Sequence, residues 1–344
     1  MVTIGFPNIR TIGLRVVFNS NSIFTSHFCS SSICDNIRSA LIADMNVRQL
    51  YSVASSILKE YNVSEPEDSA RFLLSHVANL GYRRSEFYSN SNQKLNPQQL
   101  EQFRSSISKR IDRTPVQYII GNWEFYGLTL ECREPILIPR PETEELVERI
   151  ISSEISQGIK NPRILDVGAG TGAIGIALVE NLPSSTCLAI DINPNAVSLA
   201  NINACRIFGS DYSARYNCIL SSFSDYCLNG QTESDLFDII VSNPPYIPSV
   251  LLATLEPEVR LFEDPVALDG GADGLDIILD LIRQSAPLLK KDGPRELWME
   301  VSEHHPETIR HLLESKALAV SCQFIECAND LAGNPRFIRI KYPQ

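Results

Sequence analysis

The sequence predicts an α/β protein in which a mostly parallel seven-stranded sheet with an antiparallel edge follows a small helical bundle. From Arg163 onward, short apolar runs alternate with amphipathic helical segments, which is typical of a parallel sheet covered by helices on both faces. Between Met45 and Arg113, apolar residues recur at helical spacing instead. The chain of 344 residues is long enough for two domains of about 150 residues each.

Three segments of the first part carry helix signals: VRQLYSVASSILKEY, SEPEDSARFLLSHVANLG and NPQQLEQFRSSISKRI. In the second, Ser64 and Glu67 have the spacing of a capping box, and Gly81 is a stop signal. In the third, Asn96 is the expected cap and Pro97 the first helical residue. We expect a domain of three or four helices over residues 46–115.

Residues 116–140 predict a hairpin linker. NWEFYGLTLECR is typical of two short strands that turn at Gly127, and ILIPRPETEELVERII of a proline-rich corner that leads into a helix. The second domain is expected over residues 141–344.

The second domain contains seven strand-like runs: RILDVG, TCLAID, CILS, FDIIVS, ELWMEV, VSCQFIEC and RFIRIKY. Helical patterns lie in GAIGIALVENL, NAVSLANINACRIF, LDIILDLIRQSAPLL and PETIRHLLES. The last two strands follow each other without a helix, which predicts an antiparallel edge.

The first 45 residues differ from the rest of the chain. Residues 1–34 contain no Asp or Glu, two arginines (Arg10 and Arg15) and nine Ser or Thr. A positive, hydroxyl-rich and acid-free start is typical of an organellar presequence. We therefore expect residues 1–45 to direct the protein to mitochondria, with a plastid or the cytoplasm as alternatives.

Composition limits the class of protein. A formal charge of −11 and a pI near 5.0 argue against an extended surface that binds a nucleic-acid backbone. No run approaches the roughly 18 apolar residues that a membrane span needs. The nine cysteines form no C-x-x-C pair, and those in apolar segments (Cys187, Cys205 and Cys218) are expected to be buried thiols.

The motif LDVGAGTGAIG lies where the first strand of the second domain turns into a helix. Its glycines allow a tight turn and let a ligand approach bare backbone. Asp191 ends the next strand, where a carboxylate can accept both hydroxyls of a ribose. The pattern predicts a nucleotide-containing cofactor, with these binding residues: Gly168, Ala169, Gly170, Thr171, Gly172 and Asp191.

The glycine spacing alone leaves the cofactor open. Gly170-x-Gly172-x-x-Gly175 satisfies the dinucleotide fingerprint, so a nicotinamide-dependent dehydrogenase is an alternative. Asp166, two positions before the first glycine, points to a different ligand. An acid-x-Gly-x-Gly-x-Gly loop resembles the S-adenosyl-L-methionine loop of Rossmann-like methyltransferases, which implies that cofactor.

The motif SNPPY follows the apolar strand FDIIV. Ligands of such sheets bind beyond the carboxyl ends of the strands, so Asn243–Tyr246 should face the cofactor. A planar amide or arylamine nitrogen is a poor nucleophile because its lone pair is delocalised. The side-chain oxygen of Asn243 and the carbonyl of Pro244 can each accept one N–H of such a group. Two prolines make the corner rigid, and Tyr246 supplies a flat wall, so the motif predicts a clamp for a planar NH₂ group.

This clamp suits both adenine-N6 and glutamine methylation, and further motifs separate the two. TPVQYIIGNWEFYGL, LIPRPETEELVE, LDVGAGTG, VSNPPYIP, EVRLFEDPVALDGGADGLDII and GNPRFIRI resemble, in this order, the HemK-type protein-(glutamine-N5) methyltransferases that modify peptide-chain release factors. The resemblance extends from about residue 46 to the C-terminus. It implies a Rossmann-like methyltransferase domain that acts on the glutamine of a Gly-Gly-Gln loop.

The resemblance also implies roles for individual residues. Asn243, Pro244 and Tyr246 would be catalytic, Asn243 would also border the cofactor, and Pro245 would help to hold the glutamine. Phe125 corresponds to an aromatic wall of the glutamine pocket, with a hairpin-core role as the alternative.

Two further expectations concern the surroundings of the pocket. Arg140 and Glu142 would organise its entrance or form a structural salt bridge. ILSSFSDY departs from bacterial members, which carry an acidic residue and an aromatic near the adenine; Phe223 is the candidate replacement for that aromatic.

The partner expected from the resemblance is a release factor, which the helical domain would dock. We expect no direct nucleic-acid binding, no membrane association and a monomer. The enzyme alternative is an adenine-N6 nucleic-acid methyltransferase, and the non-enzyme alternative is an adaptor protein.

Overall fold

The computed structural model describes residues 31–159, 161–182, 184–228 and 232–344. Six helices come first: α1 (Ser31–Ala40), α2 (Val47–Glu60), α3 (Pro66–Ala78), α4 (Arg84–Asn90), α5 (Pro97–Ile111) and α6 (Val116–Ile120). Their apolar faces share one core, in which Leu50, Leu74 and Phe103 are fully buried. The helical patterns predicted α2, α3 and α5, whereas the short helices α4 and α6 were missed because each spans too few residues to show a period.

The helix boundaries partly follow the predicted signals. Asn96 caps α5 and Pro97 begins it, as predicted, and Asn96 also forms a capping box with Gln99. The capping box expected at Ser64 is wrong, because Glu65 occupies the cap position of α3 in a left-handed conformation without a side-chain cap. The predicted stop at Gly81 is also wrong, because Asn79 already ends the helix with a positive φ of 52°.

Helix α1 corrects the boundary predicted for the presequence. Ile37 and Leu41 are 2% and 0% exposed and belong to the core of the helical part. The side chain of Arg104 donates a hydrogen bond of 3.0 Å from Nε to the carbonyl of Leu41. The folded chain therefore begins by residue 31, and the part of the predicted presequence that precedes it lies outside the described residues.

A hairpin joins the two parts, as predicted. Strands β1 (Asn122–Phe125) and β2 (Leu128–Glu131) pair antiparallel around Tyr126 and Gly127, whose φ angles are 49° and 77°. Two successive positive φ angles are those of a type I′ turn, which matches the twist of the strands. The proline-rich corner then leads into α7 (Pro141–Gln157).

The second part contains all seven predicted strands: β3 (Arg163–Val167), β4 (Thr186–Asp191), β5 (Tyr216–Leu220), β6 (Ile239–Ser242), β7 (Glu296–Glu300), β8 (Gln323–Asn329) and β9 (Pro335–Lys341). They form one sheet in the order β5-β4-β3-β6-β7-β9-β8. The first five are parallel, and β9 runs antiparallel to both β7 and β8. The predicted mostly parallel sheet with an antiparallel edge is confirmed.

Helices cover both faces of this sheet: α7, α8 (Ala173–Asn181), α9 (Pro194–Phe208), α10 (Phe223–Leu228), α12 (Asp276–Gln284) and α13 (His305–Glu314). The short helix α11 (Pro257–Arg260) instead contacts the helical part, where Glu258 pairs with Arg110. Two apolar clusters result, one containing α7 and α8 and the other α12 and α13. Every residue of β6 and β7 is buried, as expected for strands in the middle of a covered sheet.

Candidate active site

The loops that carry the predicted site meet at one edge of the sheet. β3 lies between β4 and β6, with Val167 opposite Ile190 and Ser242. The chain runs outward from β3 to β4 and β5 and then returns to β6 on the other side, and such a reversal opens a crevice at the carboxyl ends of the strands. The structure therefore brings together the glycine loop 168–172, Asp191 and the segment Asn243–Tyr246, here named the NPPY corner.

The glycines of the loop have two different functions. Gly168, Gly170 and Gly172 all have positive φ angles, of 79°, 55° and 84°. A Cβ on Gly172 would lie 2.8 Å from Ile176 Cδ1 and 3.2 Å from Ala200 Cβ, so packing adds to the positive φ in favouring glycine at this position. A Cβ on Gly168 or Gly170 would meet no atom within 4 Å, so these two border open space that a ligand can fill.

Asp166 supports the loop from below. It is 1% exposed, and its Oδ2 accepts a hydrogen bond of 3.0 Å from the backbone N–H of Gly175. Burial raises the pKa of Asp166 to about 7. A Cβ on Gly175 would lie 2.9 Å from the same carboxylate and 2.8 Å from Cys187 Sγ, so the last glycine of the dinucleotide-like pattern is needed for packing α8 on the sheet.

Asp191 faces the loop from the end of β4. Its two oxygens accept hydrogen bonds of 2.9 Å from Gly170 N–H and 2.8 Å from Asn193 N–H. Burial raises its pKa. A carboxylate has about four acceptor sites, so Asp191 can keep both backbone bonds and still accept hydroxyl groups from a ligand.

A cavity of about 340 Å³ opens beside these residues. Gly168, Gly170 and Asp191 line it together with Asn243 and Pro245. The rest of its wall combines apolar side chains with polar ones. The apolar ones include Ile136, Leu137, Ile190, Ile192, Ala196, Phe223, Val266 and Ile277, and the polar ones are Asn193, Ser221, Ser222, Ser224, Asp264, Asp269 and Asp280. The size is in the range of small-molecule sites, and the chemistry fits a ligand that combines a planar ring with vicinal hydroxyls.

The NPPY corner continues β6 directly. Ser242 Oγ donates a hydrogen bond of 2.7 Å to the carbonyl of Val167, which ties the ends of β6 and β3 together. Asn243 and Tyr246 are half-buried and Pro244 is buried. Burial raises the pKa of the Tyr246 phenol, so this ring remains neutral.

A glycine-rich segment packs against the back of the NPPY corner. The residues Ile247 and Asp269 form a parallel bridge. A Cβ on Gly270 would lie 2.8 Å from the carbonyl of Pro245, and a Cβ on Gly274 would lie 2.2 Å from that of Tyr246. The motif DGGADG therefore holds the backbone of the corner in place, a function that the sequence did not indicate.

Three other predicted residues lie around this centre. Phe125 is 1% exposed and packs in the core with Leu130 and Phe337, and it does not line the 340 Å³ cavity. Arg140 forms an ion pair with Glu263, which is itself buried, so the salt-bridge alternative holds for this arginine. Glu142 follows it at the start of α7 and is half-buried.

Two functional candidates were missed by sequence reasoning. Thr143, at the start of α7, accepts a hydrogen bond of 3.2 Å from Asn243 Nδ2. Glu300, at the end of β7, is 1% exposed and accepts a bond of 2.7 Å from Thr143 Oγ1. An acid inside the apolar run ELWMEV was the available signal, since a buried carboxylate needs partners.

Two findings concern the described residues as a whole. No group of three or more His, Cys, Asp or Glu side chains among them could hold a metal ion, and no helix among them is long and apolar enough to cross a membrane. The eight described cysteines are free. Cys187 and Cys218 are buried as expected, whereas Cys205 is exposed because it lies on the outer side of α9.

The chain is similar in sequence to known proteins over both of its parts. Residues 49–121 match the model of the PrmC N-terminal domain, and residues 145–250 match that of the methyltransferase small domain. The chain is 35% identical over 299 residues to the MTRF1L release factor glutamine methyltransferase of Homo sapiens, covering 85% of this chain and 86% of the relative. It is 34% identical over 298 residues to the release factor glutamine methyltransferase of Deinococcus radiodurans, covering 86% and 99%.

Proposed function

The chain belongs to the release factor glutamine methyltransferases, and on that premise we propose which of its residues bind the cofactor, hold the glutamine and carry the transfer. Its activity is the S-adenosylmethionine-dependent methylation of a release factor. The observation that supports our assignment is the shared cavity: Asn243 and Pro245 of the NPPY corner line the same space as Gly170 and Asp191.

The cavity fits S-adenosylmethionine. Asp191 would accept the ribose hydroxyls, the bare backbone of Gly168 and Gly170 would border the amino-acid end, and Phe223 with its apolar neighbours would hold the adenine. Bound there, the cofactor supplies a methyl group on a sulfonium, which is a good leaving group.

The NPPY corner would position the glutamine. The side-chain oxygen of Asn243 and the carbonyl of Pro244 each accept one N–H of the substrate amide, which directs its nitrogen toward the methyl group. Pro245 restricts the backbone that carries this carbonyl. Tyr246 packs against the flat amide. No base is required in the chain, because the methylated nitrogen loses its extra proton readily.

We propose that the substrate is the glutamine of a Gly-Gly-Gln loop, methylated at N5. Glycines on one side allow this side chain to enter a narrow pocket. The helical part, residues 31–120, is not needed for the chemistry and would dock the body of the release factor. Binding energy from this remote contact can position the loop, so a short peptide should be methylated with lower turnover as well as lower affinity.

We further propose a monomer that does not bind nucleic acid directly and that works in mitochondria. A single chain carries all the assigned residues, and the charge of −11 opposes binding of a phosphate backbone. The acid-free residues 1–34 support import, with a plastid or the cytoplasm as the alternative destination.

Methyl transfer from labelled cofactor tests the assignment. Purified release factor should gain one methyl group, located by mass spectrometry on the glutamine, and its Gln→Ala variant should gain none. DNA and RNA are the matched alternative substrates. Methyladenine in these samples together with unmodified release factor would establish the adenine-N6 alternative.

A further inference from the structure

A hydrogen-bonded chain behind the NPPY corner connects its two functional side chains. Glu300 Oε2 accepts a bond of 2.7 Å from Thr143 Oγ1, and Thr143 Oγ1 accepts one of 3.2 Å from Asn243 Nδ2. On the other side, Glu300 Oε1 accepts a bond of 3.3 Å from the hydroxyl of Tyr246. One buried carboxylate is therefore linked to both side chains, to Tyr246 directly and to Asn243 through Thr143.

The chemistry of these groups determines the direction of each bond. An ionised carboxylate has no proton to donate, so Thr143 must donate its only hydroxyl proton to Glu300. The Thr143 oxygen is then left as an acceptor, and the partner it can take from Asn243 is the NH₂ group. The amide of Asn243 is thereby oriented with its oxygen turned away from Thr143, as an acceptor free for a ligand.

The orientation matters because an Asn amide fits its site in two ways that differ only by a half-turn. In the opposite orientation Asn243 would present an N–H to the N–H of a substrate amide, and both groups would repel. The NPPY motif alone does not choose between the two orientations.

Three neighbours of Glu300 favour its charged form, whereas burial and Glu142 disfavour it. Arg336 Nη1 lies 3.8 Å from Glu300 Oε1 and 3.5 Å from the Tyr246 hydroxyl. Asp330 holds this arginine through a bond of 3.1 Å to its Nε. Burial raises the pKa of Glu300, and the nearby charge of Glu142 acts in the same direction, while Thr143, Arg336 and Tyr246 oppose them.

We propose that Glu300 and Thr143 are positioning residues for methyl transfer, which act by fixing the amide of Asn243 with its oxygen toward the substrate. Glu300 holds the ring of Tyr246 in place through the same carboxylate. This proposal rests on the function proposed above for the NPPY corner. Neither residue needs to touch the substrate, so their loss should lower turnover more than affinity.

Thr143→Val and Thr143→Ser are the decisive pair. Valine keeps the volume and removes the hydroxyl, whereas serine keeps the hydroxyl. We expect Thr143→Val to lower kcat about 10- to 100-fold, the scale of a lost hydrogen bond to a charged group, with KM for release factor and cofactor affinity changed less than about twofold. Thr143→Ser should recover most of kcat, and thermal melting should show both variants folded.

Glu300→Gln tests the direction of the chain of bonds. A glutamine can turn its NH₂ group toward Thr143, which reverses the bonds from Glu300 to Thr143 and from Thr143 to Asn243, so kcat should fall with little change in KM. The double variant with Thr143→Val should be no slower than the slower single variant, since both act through one chain. If Glu300→Gln does not fold, the Thr143 pair decides.

The outcomes that would overturn the proposal are specific. They are a Thr143→Val variant with wild-type kcat, equal losses in Thr143→Val and Thr143→Ser, or losses that multiply in the double variant. A wild-type enzyme that binds the cofactor but leaves release factor unmethylated would instead refute the proposed function itself.

Discussion

The backbone N–H of Gly170 donates a hydrogen bond of 2.9 Å to the carboxylate of Asp191. This bond joins the glycine loop after β3 to the end of β4, so two motifs that are separate in the sequence form one wall of the cavity. The carboxylate is thus both a support for the loop and the candidate acceptor for ribose hydroxyls.

Asp191→Ala should weaken S-adenosylmethionine binding by about 1–3 kcal/mol, the scale of lost bonds to a charged acceptor. The fold should survive, because the side chain lies at a strand end. Titration calorimetry measures the affinity. The affinity of Asp191→Asn, which retains one acceptor oxygen, should lie between those of the wild type and Asp191→Ala. Unchanged affinity in a folded Asp191→Ala protein would remove this residue from the site.

Asn243→Ala should reduce the rate of methyl transfer by about 100-fold or more, since a positioned acceptor acts mainly on the transition state. Cofactor affinity should change much less, because Asn243 is only one of many residues that line the cavity. Single-turnover kinetics with saturating cofactor gives the rate constant. A value near that of wild type would contradict the clamp mechanism.

Two truncations should separate the presequence from the fold. Removal of residues 1–30 should leave activity and melting temperature unchanged. Removal of residues 1–44 also removes the buried Ile37 and Leu41 and should cost about 2–5 kcal/mol of unfolding free energy, measured by urea denaturation. Equal stability of both truncated proteins would show that α1 does not contribute to the core.

A fluorescent fusion of residues 1–45 should accumulate in mitochondria, because these residues carry the acid-free, hydroxyl-rich segment. Microscopy against an organelle marker is the measurement. A fusion that stays diffuse in the cytosol would exclude an N-terminal import signal.

Buried Glu154 should make stability depend on pH. It is 0% exposed, neither carboxyl oxygen has a hydrogen-bond partner among the described residues, and burial raises its pKa to about 7. Because the folded-state pKa exceeds the unfolded one, stability should be highest below the unfolded pKa and should fall as pH rises through about 7.

Glu154→Gln should therefore stabilise the protein by about 1–3 kcal/mol at roughly pH 8 and not at roughly pH 4, where the wild-type carboxyl is already neutral. Denaturation at both pH values measures the difference. Glu144→Gln, on the same helix but partly exposed, is the control and should change little at either pH. An equal effect of both substitutions would contradict the assignment.

Much of the fold was predictable from local patterns. The alternation of apolar runs and amphipathic segments located all seven strands, because strand and helix periods are local properties. Asn96 and Pro97 marked the start of α5 for the same reason. Ser64 does not cap α3. Its hydroxyl instead accepts a hydrogen bond of 3.3 Å from Nη2 of Arg110, which is distant in the sequence.

Part of the candidate site was also predictable from local sequence patterns. The glycine loop, Asp191 and the NPPY corner were each recognisable because each lies at the carboxyl end of a strand, and parallel strands bring these ends together. Those positions, and the reaction class that the residues imply, were determined by the sequence itself.

Only the tertiary structure decided which residues support them. Thr143 and Asn243 are separated by 100 positions, and Thr143 and Glu300 by 157, so no spacing in the chain predicts their hydrogen bonds. Ile37 and Leu41 are likewise buried because their segment packs against the apolar face of α5. The sequence of that segment had instead predicted part of a presequence. Such contacts depend on how helices and strands pack against one another in three dimensions. The sequence pattern predicts a contact only where both residues lie in the same element or at the ends of neighbouring parallel strands.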